Sequence, residues 1–129
     1  MGAMKGFSNL GALVEEHVTD QMSRRMLIGE KGMITFWKMK AGAHSAAHAH
    51  PEEQIFWILS GKTDFRVGNE RRVCGPGDMG VIPGGLEHEA WFPEDTEMVN
   101  IFVPVRQDYL TSGALPYMFG EAARRVRED

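Results

Sequence analysis

The sequence predicts an all-β domain, a sandwich or barrel of short strands. Three observations carry that prediction. Glycine and proline, 15 and 6 in 129 residues, punctuate the middle of the chain at short intervals. Between them lie runs of about five to nine residues rich in Val, Ile, Phe, Trp and Met. Within those runs the side chains sort by parity, as strands require, rather than by the 3.6-residue period of a helix.

Taken in order, "GMITFWKMK" (32–40) alternates: Lys38 and Lys40 share a face with Ile34 and Phe36, which leaves Met33, Thr35, Trp37 and Met39 as the inward set. "QIFWILSG" (54–61) is apolar on both faces, with Gln54, Phe56 and Ile58 on one and Ile55, Trp57 and Leu59 on the other. Such a strand is expected to be covered on both sides, by another sheet or another subunit. "KTDFRVGNERRVCGPGD" (62–78) predicts a hairpin: Phe65 and Val67 on one arm, Gly68-Asn69 at the turn, Val73 on the other arm, then a Pro-Gly-Asp corner. "EMVNIFVPV" (97–105) is a further strand, with Met98, Asn100 and Phe102 on one face, Val99, Ile101 and Val103 on the other, and Pro104 ending it. Only the ends suggest helix: residues 10–22 show some apolar periodicity, and 120–129 read as a charged, solvated tail.

The bulk numbers bound the function. A chain of this length forms one domain with a core. A net charge of −4 and a pI near 5.7 leave no basic face for nucleic acid. No apolar run approaches membrane-spanning length, and no secretory signal pattern opens the chain. The lone Cys74 makes no internal disulfide, so a reducing cytoplasm is the expected compartment. The two-faced segments 54–61 and 97–105 predict a homodimer.

Chemistry concentrates in "AHAHPEEQ" (47–54). At strand spacing His48 and His50 face one side together, about 7 Å apart along the backbone. Gln54 keeps the same parity if the strand runs on past Pro51. Far off in sequence, "GDMGVIPGGLEHEAWF" (77–92) delivers His88 after a Pro-Gly-Gly turn. Three imidazoles and an oxygen donor suit a divalent transition metal. His17 and His44 are assigned ordinary structural roles, the commoner fate of a single histidine.

The arrangement Gly42, His48, Ala49, His50, Gln54, Gly61 resembles the first cupin motif, and Gly77, Pro83, Gly84, Gly85, His88 resembles the second. The resemblance covers residues 22 to 106 and implies a jelly-roll β-barrel, with 1–21 and 107–129 as N- and C-terminal extensions. It also implies one metal at the barrel mouth, held by His48, His50, Gln54 and His88. The usual third ligand in cupins is glutamate, and asparagine usually closes the second motif where this chain has Phe92. Glu53 has the wrong parity to replace Gln54, and Glu52 sits on the turn side.

A neutral fourth donor leaves the site at a formal +2. At about 3 Å and an effective dielectric near 20, one extra unit of charge adds roughly 5 kcal/mol of raw attraction for an anionic oxygen. Lewis-acid work is thereby favoured over iron redox. The metal itself stays open among nickel, zinc, manganese and ferrous iron.

"HAHPEEQ" together with "NIFVPVRQDYL" (100–110) is similar to the small cupins that linearise unsaturated uronic-acid sugars. In that group glutamine is the expected third ligand, and Phe102 and Arg106 match as well. The resemblance implies a catalytic set of Arg106, Asn100 and Phe102, but Asn100 stands where the group has an aspartate, and an amide is not a general base. Arg106 is suited either to clamp a substrate carboxylate or to pair with Asp108 or a neighbouring glutamate. Trp37, Met39, Phe56, Met79, Phe92 and Phe102 are expected to wall the site. Three functions follow as expectations: an isomerase- or lyase-like enzyme acting on a small oxygen-rich molecule, a metal-dependent dioxygenase for aromatic or diketone substrates, or a non-catalytic metabolite binder.

Overall fold

The computed structural model describes residues 3–110. Ten strands run in order: β1 (Glu16–His17), β2 (Met22–Ile28), β3 (Met33–Met39), β4 (His44–His48), β5 (Glu53–Ser60), β6 (Thr63–Val67), β7 (Glu70–Cys74), β8 (Met79–Ile82), β9 (His88–Trp91) and β10 (Thr96–Val103). They form a six-stranded sheet in the order β1-β2-β3-β10-β5-β8 and a four-stranded sheet in the order β4-β9-β6-β7, antiparallel throughout. The all-β expectation holds. No helix among the described residues is long and apolar enough to cross a membrane.

Parity decides which side chains enter the barrel. On β3, Met33, Thr35, Trp37 and Met39 are buried, as the alternation predicts. Register then lines up the large sheet's inner face in rows. Met33, Phe102, Gln54 and Ile82 form one; Thr35, Asn100 and Phe56 form the next; Trp37, Met98 and Ile58 form a third. The polar members are placed where the chain can satisfy them: the Thr35 hydroxyl donates to the Asn100 carbonyl at 3.1 Å and accepts from the Trp37 indole at 3.1 Å. The β6–β7 hairpin turns at Gly68-Asn69, with Gly68 at φ +57° as a two-residue turn of this kind demands.

The two motifs meet through backbone. Gly85 N–H donates to the His50 carbonyl at 2.8 Å. A side chain at Gly84 would run into the Pro51 carbonyl, so only glycine lets the β8–β9 loop lie against the turn that follows His50.

The ends differ from expectation. Residues 10–22 form a single 3-10 turn (Leu10–Ala12) and then β1, which pairs with β2. Strand pairing overrides the weak apolar period there, and Val18 is fully buried. After β10 a second 3-10 turn (Gln107–Leu110) carries the Tyr109 ring into the core. The stretch 120–129 lies outside the described residues.

Candidate metal centre

His48 ends β4 and pairs in register with His88, which begins β9; His50 follows on the turn into β5, which carries Gln54. All four side chains are buried. The ring centroids stand 4.3 Å apart for His48–His88, 4.9 Å for His50–His88 and 5.7 Å for His48–His50. One nitrogen from each ring lies within 4.8 Å of those of the others. Ligands at about 2.0–2.1 Å from an ion stand about 3–4 Å from each other, so the cluster is near binding size.

The protons are placed by the backbone. Each Nδ1 faces a carbonyl oxygen: His48 that of Ala46 at 2.7 Å, His50 that of Glu52 at 3.0 Å, and His88 that of Leu86 at 2.9 Å. A carbonyl only accepts, so each Nδ1 carries the hydrogen and each Nε2 a lone pair. His88 Nε2 is buried with no hydrogen-bond partner among the described residues. His50 is the more telling ring. Its Nε2 faces Gln54 Oε1 at 3.1 Å while its Nδ1 faces the Glu52 carbonyl. Both nitrogens meet acceptors, and a neutral imidazole has one N–H. A second proton is opposed: burial first, then the nearby Arg106 and His88, pushes the His50 pKa down to about 4. His48 is pushed to about 3, by burial and then by His88, and burial also lowers His88. A cation between the lone pairs resolves the conflict, so the donor set fits the metal that the sequence implies.

Beside the histidines lies a small cavity of about 30 Å³, lined by His48, Gln54, His88 and Asn100 together with an apolar wall. It is sized for a water or two. Trp37, Met39 and Phe92 of the expected wall line it, joined by Phe65, Met98 and Tyr109. Phe102 sets its edge against the His50 ring at 5.6 Å. Phe56 is buried but stacks on Phe65, and Met79 is 70% exposed on the outside of the barrel, so neither belongs to the wall. Met79 shares the outer face of β8 with Val81, opposite in parity to the fully buried Ile82.

Asn100 does not stand alone: its Oδ1 accepts from Gln54 Nε2 at 3.0 Å. Arg106 is fully buried. Its guanidinium donates to both oxygens of Asp108 and lies 3.5 Å from Glu52, which is the pairing alternative that the sequence left open. It is absent from the residues lining the cavity. Glu53 is exposed at the start of β5, and Glu52 supports His50 from behind through its carbonyl. His17 is solvent-facing and His44 binds Glu89 at 2.6 Å.

Sequence reasoning missed Arg24 and its neighbours. Arg24 is 1% exposed, donates to Glu16 at 2.6 Å and lies 4.3 Å over the Tyr109 ring, while Arg106 lies 4.2 Å from the same ring. The signal was available in parity with the buried Met22, but the Arg24-Arg25 pair reads as a solvated stretch.

Comparison with known proteins agrees with this geometry. A cupin domain is matched over residues 35–104, more than half of the chain, and the protein belongs to that family. Over 84 residues it is 36% identical to the dimethylsulfoniopropionate lyase DddQ of Ruegeria pomeroyi, covering 64% of this chain and 41% of that protein. The chain therefore spans about two-fifths of that relative's length. Among solved structures, an RmlC-like cupin from Shewanella frigidimarina superposes with a TM-score of 0.80 at 24% identity, covering 84% of this chain and 99% of the other. KdgF from a Halomonas species follows at 0.75 and 25% identity, covering 81% and 99%.

Proposed function

We propose that this protein is a metal-dependent cupin enzyme of isomerase or lyase type, in which His48, His50, His88 and Gln54 hold one divalent transition metal. The substrate is a small oxygen-rich molecule bearing a carboxylate, keto or enol group. One observation carries the reading: three buried imidazoles bring one nitrogen each within 4.8 Å of the others, and His88 Nε2 has no hydrogen-bond partner among the described residues. A bound ion supplies Lewis acidity, drawing electron density from a substrate oxygen. Trp37, Phe92 and Tyr109 give the cavity an apolar lining, which strengthens charge interactions beside it. Burial raises the Tyr109 pKa against the opposing pull of Arg106 and Arg24, so its phenol keeps its proton. Its hydroxyl is held by Arg106, so the ring contributes an apolar wall and does not act as base. The partial match to a lyase supports elimination or enolisation over oxidation.

The test pairs elemental analysis with deuterium exchange. The native protein should carry about one equivalent of metal, and Gln54→Ala or His88→Ala should lose at least about tenfold in affinity. In D₂O the metal-loaded protein should exchange the proton α to a carboxylate or ketone in a panel that includes unsaturated uronates and dimethylsulfoniopropionate. Metal content indifferent to His88→Ala would overturn the assignment. The apolar wall of Trp37, Met39, Phe65, Phe92 and Met98 favours a second reading, a dioxygenase for aromatic or diketone substrates. Oxygen uptake with catechols and β-diketones, without α-exchange, would select it.

The same reading includes a homodimer in a reducing, cytoplasmic setting. The outer face of the large sheet sets Phe36, Val99, Trp57 and Met79 in one row and Leu27, Ile34, Ile101, Ile55 and Val81 in the next. Trp57 is 47% exposed and Val81 55%, a continuous apolar surface of the kind that subunit contacts cover. Trp57→Glu should sediment as a monomer with metal content unchanged; a wild-type monomer at micromolar concentration would refute the dimer.

A further inference from the structure

We infer that Asn100 decides which end of the Gln54 amide faces the three histidines, and that the two amides turn over together as a cation enters or leaves. The inference rests on the metal reading above and concerns how the fourth donor is presented.

Gln54 on β5 and Asn100 on β10 are diagonal neighbours on the inner face of the large sheet, each 6% exposed. In the arrangement observed, Gln54 Nε2 donates to Asn100 Oδ1 at 3.0 Å, which turns Gln54 Oε1 to within 3.1 Å of His50 Nε2. That arrangement suits an occupied site, because two lone pairs converge on one point. The two ends of a carboxamide are nearly the same shape, so exchanging them needs side-chain torsion and no backbone movement. With both amides reversed, Asn100 Nδ2 would donate to Gln54 Oε1, and Gln54 Nε2 would donate to His50 Nε2. The His50 Nε2 lone pair then meets a donor without a cation. The backbone meanwhile stays fixed, since the Asn100 carbonyl remains bonded to the Thr35 hydroxyl.

An acidic residue at this position has no such freedom. A carboxylate only accepts, so it would hold the Gln54 N–H outward and the oxygen toward the metal at all times. An apolar residue would leave the amide unoriented. Asparagine is the choice that makes the fourth ligand two-state: an oxygen donor when the cluster is occupied, a hydrogen-bond cap for His50 when it is empty. Asn100 is thus a positioning residue that acts through Gln54, and metal binding includes the work of turning the pair.

Zinc is the probe, since it is diamagnetic and redox-silent. Side-chain amide signals of wild-type protein in ¹H–¹⁵N spectra should shift for both Gln54 and Asn100 between stripped and zinc-loaded forms. In Asn100→Asp the Gln54 amide protons should keep the same through-space contacts in stripped and zinc-loaded forms, because they stay directed at position 100. Chelator competition should show Asn100→Asp binding zinc about tenfold or more tightly than wild type, and Asn100→Leu about 10- to 100-fold more weakly. A structural role alone would alter stability without moving either readout. If the histidine rings respond to zinc and the wild-type Gln54 amide does not, the inference fails and the metal site stands. If the rings do not respond, both fall. The wild-type measurement needs no variant to fold.

Discussion

Two polar clusters are buried on either side of Phe102, and they are built on opposite terms. In one, two arginines flank the Tyr109 ring, each bound to acid: Arg24 to Glu16, Arg106 to Asp108 and within 3.5 Å of Glu52. Charge meets charge there, within the chain. In the other, three imidazoles bring one nitrogen each to within 4.8 Å of the others beside the Gln54 amide, and His88 Nε2 has no hydrogen-bond partner among the described residues. Glu52 belongs to both, its carbonyl accepting from His50 and its carboxylate lying by Arg106. The contrast is one of charge and not of full satisfaction, since Arg24 Nη1 and Nη2 are also buried without a hydrogen-bond partner among the described residues. Charges matched within the chain hold its parts together, whereas convergent neutral donors suit a cation. A charge-matched cluster thus stands against a neutral one whose donors suit a cation.

The largest effect that tests this contrast is expected on the charged side. Arg106→Leu removes the cation between Asp108 and Glu52 and leaves their charge buried or half-buried without compensation. Breaking such a pair from one side costs about 3–5 kcal/mol. The urea midpoint should fall accordingly, while zinc bound per folded molecule stays near the wild-type value. The opposite pattern, zinc lost with the midpoint unmoved, would make Arg106 part of the metal machinery and dissolve the distinction.

How much of this was legible in the sequence follows the range of the interactions. The alternation of residues 33–39 and the Gly68-Asn69 turn are local, and the structure reproduces them. His48 and His50 do converge, but β4 ends at His48 and His50 reaches the cluster from the turn rather than by strand parity. The approach of His88 came from matching two motifs, since spacing alone does not say that β4 and β9 pair. The Gln54–Asn100 hydrogen bond depends on the β5–β10 register, which no single strand encodes. The Tyr109 turn was unreadable for a similar reason, and the charge of Arg24 masked its parity with the buried Met22. Aromatic and charged residues near a chain end or beside another arginine look solvated until distant partners such as Glu16 and Trp37 are brought to them.

A smaller effect sharpens the contrast from the neutral side. The pKa of His48 falls from 6.5 to about 3 and that of His50 to about 4, with His88 also lowered. The unfolded chain therefore binds more protons than the folded one below about pH 6.5, and stability must fall with pH there. The contribution is complete above 6.5 and is lost as pH drops toward 4 and then 3. Between pH 7 and 5 most carboxylates stay ionised, so the ion pairs of the arginine cluster keep their charge. Metal-stripped protein should lose thermal stability over that interval with an uptake approaching one proton per cluster histidine. A His48→Gln, His88→Gln double variant should flatten the slope, because glutamine takes up no proton on unfolding. An equally steep slope in that variant would move the acid sensitivity to other groups and leave the histidine cluster electrostatically ordinary.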